Sequence, residues 1–138
     1  MEQINKKLLV NAELYELDVV ISFLEEMLEE AGCPMKTMTQ ISISVEEIFV
    51  NIANYAYPET GGDCELDMTV DGNRMILCIS DEGEEFNPLE KEDPDITLSA
   101  EERQIGGLGI WMVKQSMDSV EYCYEENKNK ITLIKSWE

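Results

Sequence analysis

The sequence predicts an α/β (α+β) sandwich: a mixed, mainly antiparallel sheet with helices packed on one face. Three observations carry that expectation. Residues 41–57 have the apolar periodicity of a core-facing helix, residues 64–80 alternate as two strands around Asp71-Gly72, and residues 120–137 alternate again beyond a second, shorter helical stretch. A run of strands interrupted by helices of this kind buries its apolar faces by stacking helix layer on sheet layer.

Taken in order, residues 6–10 suit an edge strand. Between residues 12 and 31, Leu14, Leu17, Val20, Ile21, Leu24 and Leu28 recur at helical spacing, with Glu13 and Glu16 near the start where acidic groups complement the helix dipole. Gly32 is placed to end that helix as its C′ residue, Cys33 and Pro34 form the turn, and Thr37 or Thr39 is expected to cap the next helix. In that helix Ile41, Val45, Ile48, Ile52 and Ala56 share one stripe, with Phe49 at its edge. Glu47, Asn51 and Asn54 share a second, polar stripe flanked by Ile43 and Val50, so a narrow line of carboxylate and carboxamides runs along an otherwise apolar helix.

Cys64, Leu66, Met68 and Val70 alternate with polar residues, as a strand with one wet face does. The following strand to Ser80 is apolar on both faces and is expected at the centre of the sheet. Residues 81–104 are acidic, contain two prolines and lack periodicity, which predicts a long loop with one helical turn. Gly106-Gly107-Leu108-Gly109 opens a short helix, Val120, Tyr122 and Tyr124 mark a strand, residues 127–130 (NKNK) are expected to turn, and residues 131–137 close the sheet.

The chain of 138 residues is 43% hydrophobic and 29% charged, an ordinary globular composition, and its length suits one domain spanning residues 1–138. Thirty acidic against 10 basic residues give a net charge of -20, which opposes direct nucleic-acid and anionic-membrane binding. A polyphosphate would therefore depend on backbone N–H groups, a metal ion and the few local cations, among which Arg103 and Lys114 are candidates. The absence of histidine removes Ser-His-Asp and Cys-His catalysis, histidine metal sites and phosphohistidine relays. Cys33, Cys64, Cys78 and Cys123 form no CxxC pair and are expected as buried, reduced thiols. The first residues lack the ~7 to 15 residue apolar core of a signal peptide, and nothing approaches the ~18 apolar residues of a membrane span, so a cytoplasmic protein is expected.

Three motifs carry chemistry. Glu47 and Asn51, four apart on a helix, hold their Cβ atoms ~5 to 6 Å from each other, close enough to share a hydrated hard cation. Glu46 projects away from that pair. Asp81-Glu82-Gly83 breaks a buried strand into a loop, where an aspartate can accept a hydrogen bond from an exocyclic amine and a glycine admits close backbone approach. The Gly106-Gly107-Leu108-Gly109 run ahead of the helix expected from Ile110 exposes N–H groups at a helix N-terminus, which suits phosphate oxygens. This stretch lacks the Gly-Lys-Ser/Thr of a Walker A loop and carries Met112 where a dinucleotide fingerprint has its third glycine.

In order and spacing these motifs resemble the GHKL ATP-binding superfamily of gyrase, Hsp90, MutL and sensor histidine kinases. Glu47-x-x-x-Asn51 is similar to its N box, Asp81-x-Gly83 to its first glycine box, and Gly107-Leu108-Gly109 to its second. The compact anti-sigma factor serine/threonine kinases of bacteria resemble the chain most, through EEIFVNIANYAYP and GGLGIWMVKQSMDSVEY. The resemblance implies a Bergerat ATP-binding fold, ATP and Mg²⁺ as cofactors, Glu47 as general base and Asn51 as metal ligand. It further implies Asp81 as adenine reader and, around the nucleotide, Asn54, Gly83, Arg103, Gly106, Gly107, Leu108 and Gly109, with residues 90–104 as an ATP lid. As partners it implies a small anti-sigma antagonist of the STAS type and a sigma factor, and it leaves a homodimer open. The chain departs from the family's pattern at three places: Ile105 stands where an arginine is frequent, Asn129-Lys130 where a Gly-Thr pair is, and Tyr55 where a polar residue is. Retention of Glu47 points to a kinase. Ile105 points instead to a non-catalytic nucleotide-sensing interaction module of the same fold, and a purely structural domain would leave the motifs without a ligand.

Overall fold

The computed structural model describes residues 3–57, 61–90 and 108–138. Five strands, β1 (Gln3–Asn11), β2 (Asp63–Asp71), β3 (Arg74–Asp81), β4 (Ser119–Glu125) and β5 (Lys128–Ser136), form one sheet in the order β1-β2-β3-β5-β4, with β3 at its centre as its apolar sequence predicts. Every pairing among them is antiparallel. Helices α1 (Leu17–Glu30), α2 (Met35–Tyr55) and α3 (Leu108–Ser116) cover one face. Leu66, Met68, Leu77, Ile79 and Leu133, which alternate along their strands, meet Val20, Leu24, Ile41, Val45 and Phe49 in the core beneath them.

Both ends of α1 follow from local chemistry. A short 3-10 turn, Leu14–Glu16, leads into it, and at its far end the Gly32 N–H donates to Glu29 O and the Cys33 N–H to Leu28 O, each at 3.0 Å. That pair of bonds is the Schellman arrangement, and it needs the positive φ of 74° that Gly32 supplies without strain.

The start of α2 differs from expectation. Pro34, in extended conformation, is the N-cap, and no side chain caps the helix. Thr39, expected as a cap, instead donates its hydroxyl to Met35 O at 2.9 Å inside the first turn. Burial of Met38 explains the earlier start, because it carries the apolar stripe of Ile41, Val45, Ile48 and Ile52 one turn further back.

Two turns also shift. Gly72-Asn73 links β2 to β3, and Glu126-Asn127, with φ of 55° and 62°, links β4 to β5. Strand β5 therefore starts at Lys128 rather than after residue 130, and Asn129, expected in a turn, faces the core. The thiols are also unlike the expectation of four buried groups: Cys33 and Cys64 are buried, Cys78 is intermediate and Cys123 exposed, all unpaired. Burial pushes the Cys64 thiol up to about 12, so it stays protonated and inert. Among the described residues no helix is long and apolar enough to cross a membrane.

Candidate functional site

The antiparallel register of β3 and β5 sets Asp81 opposite Asn129 at one end of the sheet's core face. Both side chains are buried, at 6% and 5% exposure. Asp81 Oδ1 accepts hydrogen bonds from the Gly83 N–H at 2.9 Å and from Asn129 Nδ2 at 3.0 Å. The same Nδ2 donates to Glu84 O at 2.8 Å, while Asn129 Oδ1 accepts from the Phe86 N–H at 3.0 Å and from the Tyr122 hydroxyl at 2.5 Å. A backbone N–H can only donate, so Phe86 fixes which way the Asn129 amide points, and the amide in turn fixes Asp81. Asp81 Oδ2 accepts no hydrogen bond among the described residues. Burial pushes the Asp81 carboxyl above the usual carboxylate range, and the bonds from Asn129 and Gly83 oppose that rise.

Asp81 forms part of an apolar pocket with about 440 Å³ of atom-free space, its open mouth included. Ile48, Ile52, Ile110 and Ile131 contribute its aliphatic lining, and the exposed rings of Tyr55 and Phe86 also border it. Apolar sides around one buried acceptor suit a flat ring that carries an amine. Asn51 lines the same pocket. Its Nδ2 lies 3.4 Å from Glu47 Oε1, and its Oδ1 accepts no hydrogen bond among the described residues. An unengaged amide oxygen beside a carboxylate fits a hard cation that keeps most of its coordination to water and phosphate.

The two glycines near these groups differ in what they approach. A Cβ on Gly83 would stand 2.3 Å from Ala56 O, so this glycine seats the loop against the end of α2, where the Glu84 N–H donates to that same carbonyl at 3.0 Å. A Cβ on Gly109 would stand 2.2 Å from Glu47 Oε1, so the first turn of α3 packs directly on the Glu47 carboxylate. Acidic groups are favoured at a helix N-terminus.

Thus Asn51 and Asp81 share one pocket, and Glu47 joins Gly109 beside it. Asn54 is exposed and is not among the residues lining that pocket. Arg103, Gly106 and Gly107, together with residues 91–104 of the expected lid, lie outside the described residues, and of Leu108 only the backbone is described, as the first residue of α3. Lys114 directs its Nζ to Leu89 O at 3.5 Å.

Sequence reasoning missed Asn129, Tyr122 and Tyr57. Tyr57 accepts the Glu82 N–H at 2.6 Å and donates to Asp63 O at 2.7 Å, tying the strand ends beside the site. Period-two alternation carried back from Leu133 and Ile131 would have put Asn129 on the core face, whereas no local pattern marks Tyr57.

A sheet covered on one face by three helices, with this pocket between α2 and the sheet's end, is the architecture of a nucleotide-binding domain. Residues 10–135 match the histidine kinase-like ATPase domain family, and the chain belongs to it. Among curated relatives it is similar to the serine-protein kinase RsbW of Listeria monocytogenes serovar 1/2a, at 26% identity over 101 residues that cover 70% of this chain and 64% of the relative. It is similar also to RsbW of Bacillus thuringiensis strain Al Hakam, at 26% identity over 99 residues, 69% of this chain and 62% of that one. The match thus spans less than two thirds of these relatives' length. A crystal structure of the RsbU and RsbW domains of a Mycobacterium tuberculosis protein shares the fold, with a TM-score of 0.66 and 15% identity over 95% of this chain and 32% of that one.

Proposed function

We propose that the protein is an ATP-dependent serine/threonine kinase of the anti-sigma factor type, which phosphorylates a small antagonist protein and holds a sigma factor when that antagonist is modified. The observation that carries this reading is the Glu47 carboxylate 3.4 Å from the Asn51 amide that lines the Asp81 pocket. A carboxylate at that point can take the proton from an attacking hydroxyl.

In this reading Asp81 Oδ2 accepts the adenine amine and the aliphatic residues around it take the ring. Asn51 would hold Mg²⁺ through its amide oxygen, and the ion would supply charge neutralisation at the phosphates. The partner's hydroxyl gives its proton to the Glu47 carboxylate while its oxygen bonds to the γ-phosphorus. The bond from that phosphorus to the bridging oxygen breaks, and ADP leaves with the electron pair. Gly83 and Gly109 and the undescribed Arg103, Gly106 and Gly107 complete the proposed surroundings of the nucleotide, and Asn54, exposed outside the pocket, would touch it only at the rim. A cytoplasmic setting, where ATP is available as donor, belongs to the same proposal.

The test is incubation of the chain with labelled ATP, Mg²⁺ and the purified small antagonist domains encoded near it, followed by mapping of the labelled residue. Transfer to one serine or threonine is expected. Tight ATP binding without transfer to any of them would favour the second reading, a nucleotide-sensing interaction module, for which Ile105 in place of an arginine speaks.

A further inference from the structure

The sheet ends in two edge strands of unlike chemistry: β1 carries Lys6 and Lys7, β4 carries Glu121 and Glu125. β4 pairs with β5 on one side, and among the described residues nothing pairs with its other side. Its sequence, SVEYCYE, has no proline and alternates the strand formers Val120, Tyr122 and Tyr124, so its outer edge presents a row of backbone N–H and C=O groups to a further strand. A hollow opens beside the same strand. The register sets Tyr122 opposite the buried Ile131, on the helix side of the sheet, and there Tyr122 borders about 830 Å³ of atom-free space, open mouth included, with Glu85, Phe86, Asn87 and Glu90. The Phe86 ring is 49% exposed. Glu85 and Glu90 are exposed and form no salt bridge among the described residues.

Two carboxylates beside two aromatic rings suit a guanidinium, which stacks on a ring face and donates to carboxylates in the same plane. We propose that the outer edge of β4 takes an extended segment of a partner protein as a sixth strand, with an arginine of that segment seated in the hollow between Glu85, Glu90, Phe86 and Tyr122. This inference goes beyond the kinase reading and requires neither ATP nor phosphate transfer.

Strand geometry divides the work between backbone and side chain. Successive side chains of an added strand alternate faces, so every second one points to the helix side, where the hollow lies. Backbone pairing supplies affinity, and the hollow selects the residue. Charge selects the same occupant. A chain of net charge -20 attracts a basic segment, which at β1 would meet Lys6 and Lys7 instead of acid. A second copy joined β4 to β4 would set Glu121 and Glu125 against their own counterparts, and like charges across a strand pair are destabilising. The occupant also sits against residues that hold the nucleotide end, because Phe86 borders both the hollow and the Asp81 pocket and the Tyr122 hydroxyl donates to Asn129 at 2.5 Å.

The test pans the nucleotide-free chain against a displayed library of random heptapeptides, the length matching the seven residues of β4. Enriched peptides are expected to share one arginine flanked by alternating β-branched or aromatic residues. With the most enriched peptide synthesised, hydrogen exchange should slow at the alternate β4 amides that β5 leaves unpaired. Calorimetry should show about tenfold weaker binding to the variant carrying both Glu85→Gln and Glu90→Gln, the effect of losing a charged hydrogen bond that is open to solvent. Glutamine in place of the peptide's arginine should cost a similar factor, and the protein and peptide changes together no more than either alone. If the double variant melts lower than the native chain, Glu85→Gln alone takes its place. A consensus without arginine, protection on β1 instead of β4, or losses that multiply when combined each overturns the proposal. Self-association of the chain through β4, with no peptide enriched, overturns it as well. Any of these failures leaves the kinase reading intact, and a chain that transfers no phosphate leaves this inference intact.

Discussion

The Asp81 end and the Glu47 end of the site differ in how completely they are built. At the first, five hydrogen bonds among Asp81, Gly83, Glu84, Phe86, Tyr122 and Asn129 fix a buried carboxylate before any ligand arrives. At the second, Glu47 and Asn51 share a single long contact of 3.4 Å, and the Asn51 amide oxygen is unengaged among the described residues. In the proposed reading, base recognition would therefore be preorganised, whereas the phosphate end would leave its acid and its amide to be engaged by what binds. Substitutions at the first end should act on nucleotide affinity and those at the second on rate.

The largest expected effect is at the second end. Glu47→Ala is expected to keep nucleotide affinity and to lower phosphate transfer by ~10² to 10⁴-fold, the usual cost of removing a general base, while Glu46→Ala leaves kcat unchanged. Single-turnover transfer beside calorimetric ADP binding separates the two quantities. Transfer by Glu47→Ala at the native rate would remove the distinction between the two ends.

Next in size is Asp81→Asn, expected to weaken adenine-nucleotide binding by roughly 10 to 150-fold, as loss of a charged hydrogen bond worth ~1.5 to 3 kcal/mol does. Asn129→Ala should act in the same direction through Asp81, leaving the Phe86 N–H and Asp81 Oδ1 each short of a partner. Calorimetry with ADP decides both. Affinity lost in Asp81→Asn but untouched in Asn129→Ala would mean that the five-bond network does not orient the acceptor.

The glycines sharpen the contrast. Gly83→Ala drives a Cβ against the Ala56 carbonyl, which is backbone and cannot yield cheaply, so a loss of ~1 to 3 kcal/mol in stability is expected in a thermal melt. Gly109→Ala drives a Cβ against the movable end of Glu47 and sits within a helix, so the melting temperature should hold while transfer falls. If both variants melt alike and transfer alike, the glycines do not distinguish a built end from an unbuilt one.

Local periodicity made much of this legible. The stripe from Ile41 to Ile52, the central place of β3, Gly32 as helix terminator and the break at Asp81 all depend on residues within a turn or a strand of one another. What it could not supply was non-local or masked by composition. Pro34 and Met38 start α2 early because burial of Met38 outweighs the missing cap, and Thr39 looked like a cap because threonine favours that position. The polar run at residues 127–130 resembles a turn, yet the turn ends at Asn127, and Asn129 is held in a strand by Asp81, 48 residues away. Tyr57 reaches its partners only after β2 and β3 have paired. In the site, the Glu47–Asn51 contact follows from helical spacing alone, whereas the meeting of Glu47 with Gly109 depends on how α3 packs against α2.

The smallest expected effect is a dependence on pH that runs in opposite directions for folding and for binding. Burial raises the Asp81 carboxyl above its ordinary value of 3.8, so the folded chain holds that proton more tightly than the unfolded one. The stabilising contribution is then fully present below the unfolded-state value and is lost as pH rises through the folded value. Nucleotide binding has the reverse sign, because the adenine amine needs Oδ2 as an acceptor and a protonated Oδ2 presents a donor instead. Cys64 on β2, Tyr57 beyond α2 and Tyr122 on β4 face Asp81, and burial raises all three, so they stay neutral throughout the acid range. Glu82 and Glu84 nearby are exposed. Subtracting the Asp81→Asn profile from the native one isolates the aspartate. As pH falls through the raised value, native ADP affinity should drop relative to Asp81→Asn while native melting temperature gains on it. Parallel profiles for the two proteins in both measurements would mean that Asp81 titrates as an ordinary surface acid, and that the pocket does not hold its acceptor dry.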